Sequence, residues 1–456
     1  MTGTVPPVRR ASLVATPQRK IMLAVLLVDT VAAGAFYPLT FLYLKLSTEL
    51  PVGQIGLILT GGGVVALALN PLAGSAADRW GAQRTIVLAN LLCGLGYLGL
   101  VDIHGWPQLV LAVSLISLSQ RLYWVGWPVF VSEQVAEGET LDRWFAVVNA
   151  FKSAALGIGA GAAAVILAVG DTGTMRMFLI AAVLASFLSA AVFFKLRMNP
   201  RNGAAGGGTD AAAAGPVGPG GTEHTGGGDL ESGTDGKDGG DLRSGADGGW
   251  RAVLRDRPYV AMTAAHTALT FAWLLPSVVL PVYFVETLDL PPWLPSVSFA
   301  LNTAMIVLLQ TAVTRSLGTL RRTRAVLAGA CAFLLAFAVF ASADAVPRAV
   351  AVVLALAGIV LFSLGEMSAG PPAQSLSIEA APVPLRGRYS SVFQTSWTVS
   401  NVGGPAVVGA LLQWHSLGLW LVLGALVGLG GLGFLACERR FPAHVLHSEA
   451  KKGEPR

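Results

Sequence analysis

Four charged side chains stand inside long apolar runs of this chain: Asp29, Arg121, Lys152 and Glu366. A charge held in a low-dielectric interior costs about 2.5 to 3.5 kcal/mol on insertion scales, so each one asks for a partner or a function. Asp29 carries a carboxyl that can hold or release a proton, or serve as a structural carboxylate bonded to a neighbouring helix; Ala33, Tyr37 and Thr40 follow it on one helical face. Arg121 cannot lose its proton and is a fixed charge that an acid can leave or rejoin, or one half of an ion pair that ties helices together. Ser114, Ser117, Gln120 and Trp124 lie near its stripe. Lys152 shares a face with Asn149 and Ser153, and Glu366 sits near Ser363 and Gly370, where it suits a second proton site or the partner of a cation.

Neutral polar and aromatic groups repeat around these charges. Asn302 and Gln310 fall in one apolar run, and Gln394, Thr398 and Asn401 in another; they either line a cavity or tie helices together. Tyr37, Tyr123, Trp124, Trp127, Trp273 and Trp397 offer broad ring faces that suit flat lipophilic ligands and attract cations by about 0.5 to 2 kcal/mol. His266 is a candidate for the same cavity, although a lone histidine in an apolar helix is first read as a packed core residue. Trp106, Trp293 and Trp414 stand at run ends and read as interfacial anchors.

The elements that must position these groups are membrane helices. Hydrophobic residues make up 54% of the chain and charged residues 12%, with a mean hydropathy of +0.63, which excludes an ordinary soluble globular protein. Runs of about 20 apolar residues are what a ~30 Å hydrocarbon layer requires. They fall at 21 to 44, 53 to 74, 84 to 102, 106 to 132, 143 to 169 and 174 to 196, and again at 258 to 285, 293 to 315, 324 to 343, 347 to 374, 387 to 413 and 416 to 437. The expected fold is an all-α membrane protein of twelve transmembrane helices in two pseudo-symmetric six-helix bundles, 21–198 and 251–438. Lys152 lies nine residues beyond Arg143, about 13 Å into the layer, too deep to snorkel easily.

Basic residues cluster at alternate run ends (Arg9, Arg10, Arg19 and Lys20; Arg79 and Arg84; Lys195 and Arg197; Arg321, Arg322 and Arg324; Arg386 and Arg388; Arg439 and Arg440), while the other side offers Lys45, Arg176 and Arg348. The positive-inside rule therefore puts both termini, 1–20 and 439–456, in the cytoplasm. The net charge of +5 is a topology signal, and no nucleic-acid partner is expected. Residues 199–250, dominated by Gly, Ala, Asp, Ser and Thr, read as a disordered cytoplasmic linker, with a short amphipathic piece at Arg251 to Arg257. The three cysteines are dispersed and give neither a disulfide framework nor a zinc site. Gly61-Gly62-Gly63 lacks the Gly-Lys-Ser/Thr of a nucleotide loop, and no His-Glu-x-x-His is present, so an enzyme is not expected.

The two halves repeat weakly. A shift of 237 residues lays Gly81 and Arg84 on Gly318 and Arg321 and Asp29 on His266; a shift of 245 lays Arg121 on Glu366 and Arg143-Trp144 on Arg388-Tyr389. Between the second and third runs lies a charged island, Gly74-Ser75-Ala76-Ala77-Asp78-Arg79-Trp80-Gly81-Ala82-Gln83-Arg84, expected to be a very short loop. Gly74, Asp78, Arg79, Gly81 and Arg84 resemble the loop motif between helices two and three of the major facilitator superfamily. Within it the chain looks most like the twelve-helix drug:proton antiporters, with an acid in the first run and an arginine in the fourth. It departs from their pattern in that Gly126 follows Arg121 by five residues, and Gly157-Ile158-Gly159-Ala160-Gly161 carries no proline.

The resemblance implies proton-coupled export of lipophilic drugs or antibiotics by alternating access in the cell (inner) membrane. The alternative is a proton-coupled uptake symporter for a sugar, acid or peptide. Asp29, Arg121 and Glu366 are then the proton-coupling candidates. Tyr37, Trp124, Lys152, Asn149, His266, Trp273, Asn302, Gln394, Trp397 and Asn401 are those for the substrate cavity. Gly74, Asp78, Arg79, Gly81 and Arg84 form a cytoplasmic gate, with Asp78 pairing across to Arg386 or Arg388. No cofactor is expected beyond the proton gradient as energy source, and the partners are a small-molecule substrate and the lipid bilayer, with the protein a monomer.

Overall fold

The computed structural model describes residues 17–48, 50, 52–135, 139–169, 172–196, 246–291 and 293–447, which fold into helices joined by short links, with no strand among them. The first stretch of chain forms α1 (Pro17–Ser47), α2 (Val52–Trp80), α3 (Ala82–Val101), α4 (Trp106–Glu133), α5 (Leu141–Val169) and α6 (Thr172–Lys195). The second begins with α7 (Ala246–Arg255) and α8 (Arg257–Thr270). α8 continues as a tightened turn at Phe271–Leu274, a widened turn at Leu275–Val279, α9 (Leu280–Val282) and a second widened turn at Tyr283–Thr287. Then follow α10 (Leu294–Leu317), α11 (Arg322–Ser342), α12 (Arg348–Glu379), α13 (Arg386–Trp414), α14 (Ser416–Cys437) and α15 (Ala443–Leu446).

Eight helical spans among the described residues are long and apolar enough to cross a membrane. Between them lie α1, α2, α5 and α13, of 29 to 31 residues. At 1.5 Å per residue, even 29 residues reach about 43 Å, beyond the ~30 Å of hydrocarbon. Leu184, Leu308, Leu421 and Leu429 stand exposed on the outside of their helices, an arrangement that suits lipid and would be costly in water.

Apolar side chains sort by position in the chain. One large core draws its buried residues from Val253 to Leu446. Three smaller ones draw theirs from Met22 to Phe193, with Ile378 joining one of them. α2 also packs along α13, and α5 along α10 and α12.

Three sequence expectations change. The island is not a loop: α2 runs through Gly74, Asp78 and Arg79 to Trp80, and α3 starts at Ala82. Gly81 alone makes the turn, at φ 85° and ψ 154°, a region open almost only to glycine. Its N–H still donates to Ala77 and its carbonyl still accepts from Thr85, so the corner leaves few backbone groups unpaired. The seventh run is not one uniform helix, because Pro276 and Pro281 each remove a backbone donor and the ladder re-forms with altered turns. The linker expected over 199–250 lies outside the described residues up to 245, but its last five residues open α7. Val253 anchors that helix at 0% exposure, and Trp250 Nε1 donates to Ser75 Oγ at 3.1 Å. The tails 1–16 and 448–456 lie outside the described residues.

Gly81→Ala should lower stability by about 1 to 3 kcal/mol, since the backbone there admits no Cβ without strain. Thermal unfolding in detergent checks this. Gly161→Ala, within α5 and with open space beside it, should leave the midpoint unchanged or raise it.

Candidate functional site

α1, α3, α4, α5 and α6 enclose a cavity of about 290 Å3. Asp29 and Thr30 face it from α1, Asn90 and Cys93 from α3, Ser119, Gln120, Tyr123 and Trp124 from α4, Asn149, Lys152 and Ser153 from α5, and Ser186 from α6. Helical register explains the convergence: steps of three and four along α4 and α5 bring these side chains onto single stripes turned inward.

Lys152 is the cation of this cavity. Its Nζ lies 4.0 Å from the ring centroid of Trp124, 5.0 Å from Trp127 and 5.2 Å from Tyr123. Tyr123 and Trp127 stack at 5.4 Å, and Trp124 meets Tyr123 edge-on, so the three rings brace one another as a box for the ammonium. Asp29 is near enough for its charge and that of Lys152 to interact. Asn149 Nδ2 donates to Gln310 Oε1 at 3.2 Å, and Gln310 Nε2 donates in turn to the Met367 carbonyl at 3.1 Å, which ties the cavity wall to α10 and α12.

A second polar cluster sits among α8, α10, α12 and α13. Asn302 Nδ2 donates to Glu366 Oε2 at 3.1 Å and to Ser363 Oγ at 3.0 Å, and the Trp273 side chain bonds the same carboxylate. Trp273 meets Trp397 edge-on at 5.2 Å. His266 is 3% exposed and stacks on Phe393 at 4.1 Å, with its Nδ1 lacking a hydrogen-bond partner among the described residues.

Arg121 is not among the groups that line the cavity of Asp29. It turns toward α13, where its Nη1 donates to Thr398 Oγ1 at 2.6 Å. One residue of helix is a rotation of about 100°, so Gln120 and Trp124 face the cavity while Arg121 faces the neighbouring helix. Gln394 is buried and Asn401 exposed, although seven-residue spacing puts them on one face. The Tyr37 side chain lies outside the described residues.

Where α2 meets α13 the helices touch backbone to backbone. Asp78 Oδ1 accepts from Gly387 N–H at 2.5 Å and Oδ2 from Arg388 N–H at 3.2 Å, with Arg388 Nε 3.7 Å away. A Cβ on Gly74 would meet the Arg388 Cα at 3.0 Å, which is why glycine stands there. Ser391 Oγ donates to the Asn70 carbonyl at 2.7 Å, and Ser390 Oγ to that of Val125 at 2.8 Å. Arg79 and Arg84 are exposed, and Arg386 lies close enough to Glu133 for their charges to interact.

Sequence reasoning missed the acids that hold this end together. Arg322, 2% exposed, binds Asp142 through Nε at 2.9 Å and Glu379 through both terminal nitrogens. Arg19 grips Glu139 with two 2.8 Å bonds, and the Trp144 indole donates to the same carboxylate. The available signal was the presence of Glu139, Asp142 and Glu379 at run ends that also carry basic residues such as Arg143 and Arg386.

Residues 21–405 match the family model of the Major Facilitator Superfamily, and the chain belongs to that superfamily of multi-pass membrane transporters. Among solved structures, it resembles a bacterial homologue of the iron transporter ferroportin in an outward-facing state. There the TM-score is 0.68 and the identity 15%, over 93% of this chain and 100% of the other. The human organic anion transporter MFSD10 superposes with a TM-score of 0.57 at 13% identity over 93% of this chain and 100% of the other. The proton:xylose symporter XylE gives 0.60 at 11% identity, over 92% and 94%. At such identities the likeness is one of fold. No curated protein matches the sequence.

Arg322→Met would leave the Asp142 and Glu379 carboxylates without their buried cation, and stability should fall by about 3 to 5 kcal/mol. Arg84→Met at an exposed site should change it by less than about 0.5 kcal/mol. Thermal unfolding of the two variants in detergent separates these outcomes.

Proposed function

We propose that this transporter is a proton-coupled exporter of small amphiphilic aromatic compounds, drugs and antibiotics among them. The observation that carries the reading is the cavity that Asp29 shares with Lys152 under Trp124 and Tyr123. A titratable carboxyl in a cavity walled by rings joins the two things such an exporter needs, a proton carrier and a surface for lipophilic cargo. Glu366, held by neutral donors, is a second proton site, and Arg121 positions α13 against α4.

In this reading the chain crosses the cell (inner) membrane twelve times, with both termini cytoplasmic. Two six-helix bundles, 21–198 and 251–438, are tethered by the linker 199–250, and the protein works as a monomer. The bundles rock about the cavity, and protonation of Asp29 shifts the balance between inward-open and outward-open forms. The seam at Asp78 is the cytoplasmic latch, closed when the cavity faces out. A proton-coupled uptake symporter is the second reading, favoured by the amides and hydroxyls of Asn90, Gln120, Ser119 and Ser186 in the same cavity.

Toxic compounds tested on cells with and without the gene, before and after collapse of the proton gradient, separate export from uptake. Asp29→Asn should abolish gradient-dependent tolerance while the protein stays in the membrane; full tolerance with substrate-driven proton release would refute the role of Asp29. Asp78→Asn weakens charge-assisted bonds worth about 1.5 to 3 kcal/mol. The cytoplasm-open form should then rise by about tenfold or more. Cys93, which lines the cavity, reports this through impermeant maleimide labelling of inside-out vesicles in a Cys331→Ser, Cys437→Ser background. An unchanged labelling rate would count against the latch.

A further inference from the structure

The cavity under Trp124 holds two groups of opposite charge whose bonding capacity is unspent. Asp29 and Lys152 both line it, yet no ion pair within 4.0 Å joins them, and neither side chain has a hydrogen-bond partner among the described residues. Their polar atoms are also absent from the buried groups that lack partners, so they reach open cavity space. Lys152 is held by ring faces, which attract the ammonium while no oxygen or nitrogen among the described residues accepts from it.

Ligand charge follows from that pairing. A carboxylate alone would select cations, and an ammonium alone would select anions. A cavity with both is opposed to either kind, because the singly charged ligand satisfies one group and meets the other as a like charge. A ligand carrying both charges satisfies both groups. The cavity volume of about 290 Å3 lies at the small end of ligand sites, typically about 300 to 1,000 Å3, and so holds a single ring system with short polar arms.

We infer that the cargo class is a small aromatic zwitterion of amino-acid type, its amine on Asp29, its carboxylate on Lys152 and its ring against the apolar wall that Tyr97, Trp124 and Leu156 contribute. The inference rests on the reading of this cavity as the cargo site with Asp29 as the coupling group. It also deepens that reading: the cargo's ammonium and the proton compete for one carboxylate, so that loading cargo expels a proton, the exchange an antiporter requires.

The test is equilibrium binding of radiolabelled tryptophan, tryptophanamide and N-acetyltryptophan to the purified full-length protein at pH 7, with flux of tryptophan in proteoliposomes as the second arm. The three probes share a ring and differ in charge: zwitterion, cation and anion. Tryptophan should bind at least tenfold more tightly than either analogue. Lys152→Met should erase its advantage over tryptophanamide, and Asp29→Asn its advantage over N-acetyltryptophan, whereas a merely structural role would weaken all three alike. A site that prefers either singly charged probe, or binds none of the three, overturns the inference and leaves export of other compounds standing. Zwitterion-selective binding with flux indifferent to a pH gradient keeps the cargo class and removes the proton coupling.

Discussion

A charge surrounded by hydrocarbon has no water to fall back on, so every ionised side chain within the spans must be met by another protein group or by a cavity. The chain meets that demand differently at different depths. At the end marked by Arg322, guanidinium and carboxylate groups from α5, α11 and α12 close on one another, and Arg321, Arg324 and Thr323 do the same around Glu438. Deeper in, Arg121 is met by a hydroxyl and Glu366 by an amide and an indole. Lys152 is met by the ring faces of Tyr123, Trp124 and Trp127, and neither it nor Asp29 has a hydrogen-bond partner among the described residues. On the proposed reading, this is the pair left available to a proton and to cargo.

The same demand makes the helices that surround the cavity mechanically continuous with their neighbours. Asn149 faces the cavity with one part of α5 and reaches Gln310 on α10, whose amide holds the carbonyl of Met367, the residue after Glu366. The wall of the Asp29 cavity is thus tied by hydrogen bonds to α12, the helix that carries Glu366. On the other side, α2 reaches α13 through Asn70, Gly74 and Asp78, so a shift of α13 cannot occur without breaking bonds to α2. These contacts are discrete, made or broken, and packed interfaces of that kind switch between states rather than deform gradually.

Much of this was legible in the sequence, for reasons that can be traced to particular residues. Apolar runs of bilayer length and the residues of the charged island identify the superfamily, because hydrophobic length and a short motif are local properties. The convergence of Asn149, Lys152 and Ser153 on one face follows from helical periodicity alone. What periodicity cannot supply is the neighbour that a face looks at. Arg121 and Gln120 are adjacent, yet one bonds α13 and the other lines the cavity. The island looked like a loop because charge and small residues usually mark one. A single Gly81 beyond +60° in φ turns the chain without a loop, and that freedom belongs to the backbone. Acids such as Asp142 and Glu379 were invisible as partners because their cation, Arg322, lies 180 and 57 residues away.

Transport also limits how strongly any of these groups can be held. Had a carboxylate met the Lys152 ammonium at salt-bridge distance, the cargo of the proposed cycle would have had to displace a buried pair. Ring faces hold the ammonium for about 0.5 to 2 kcal/mol each, with no hydrogen-bond acceptor among the described residues occupying it. The contact at Asp78, the latch of the proposed cycle, is held lightly in the same way. Its carboxylate is bound by two backbone N–H groups, with the Arg388 guanidinium 3.7 Å away. It is a far lighter hold than the bidentate grip of Arg322 on Glu379. On the proposed cycle the groups that must let go, Lys152 and Asp78, are held by ring faces and by backbone amides with one guanidinium at 3.7 Å, whereas Arg322 is held by close contact with two carboxylates.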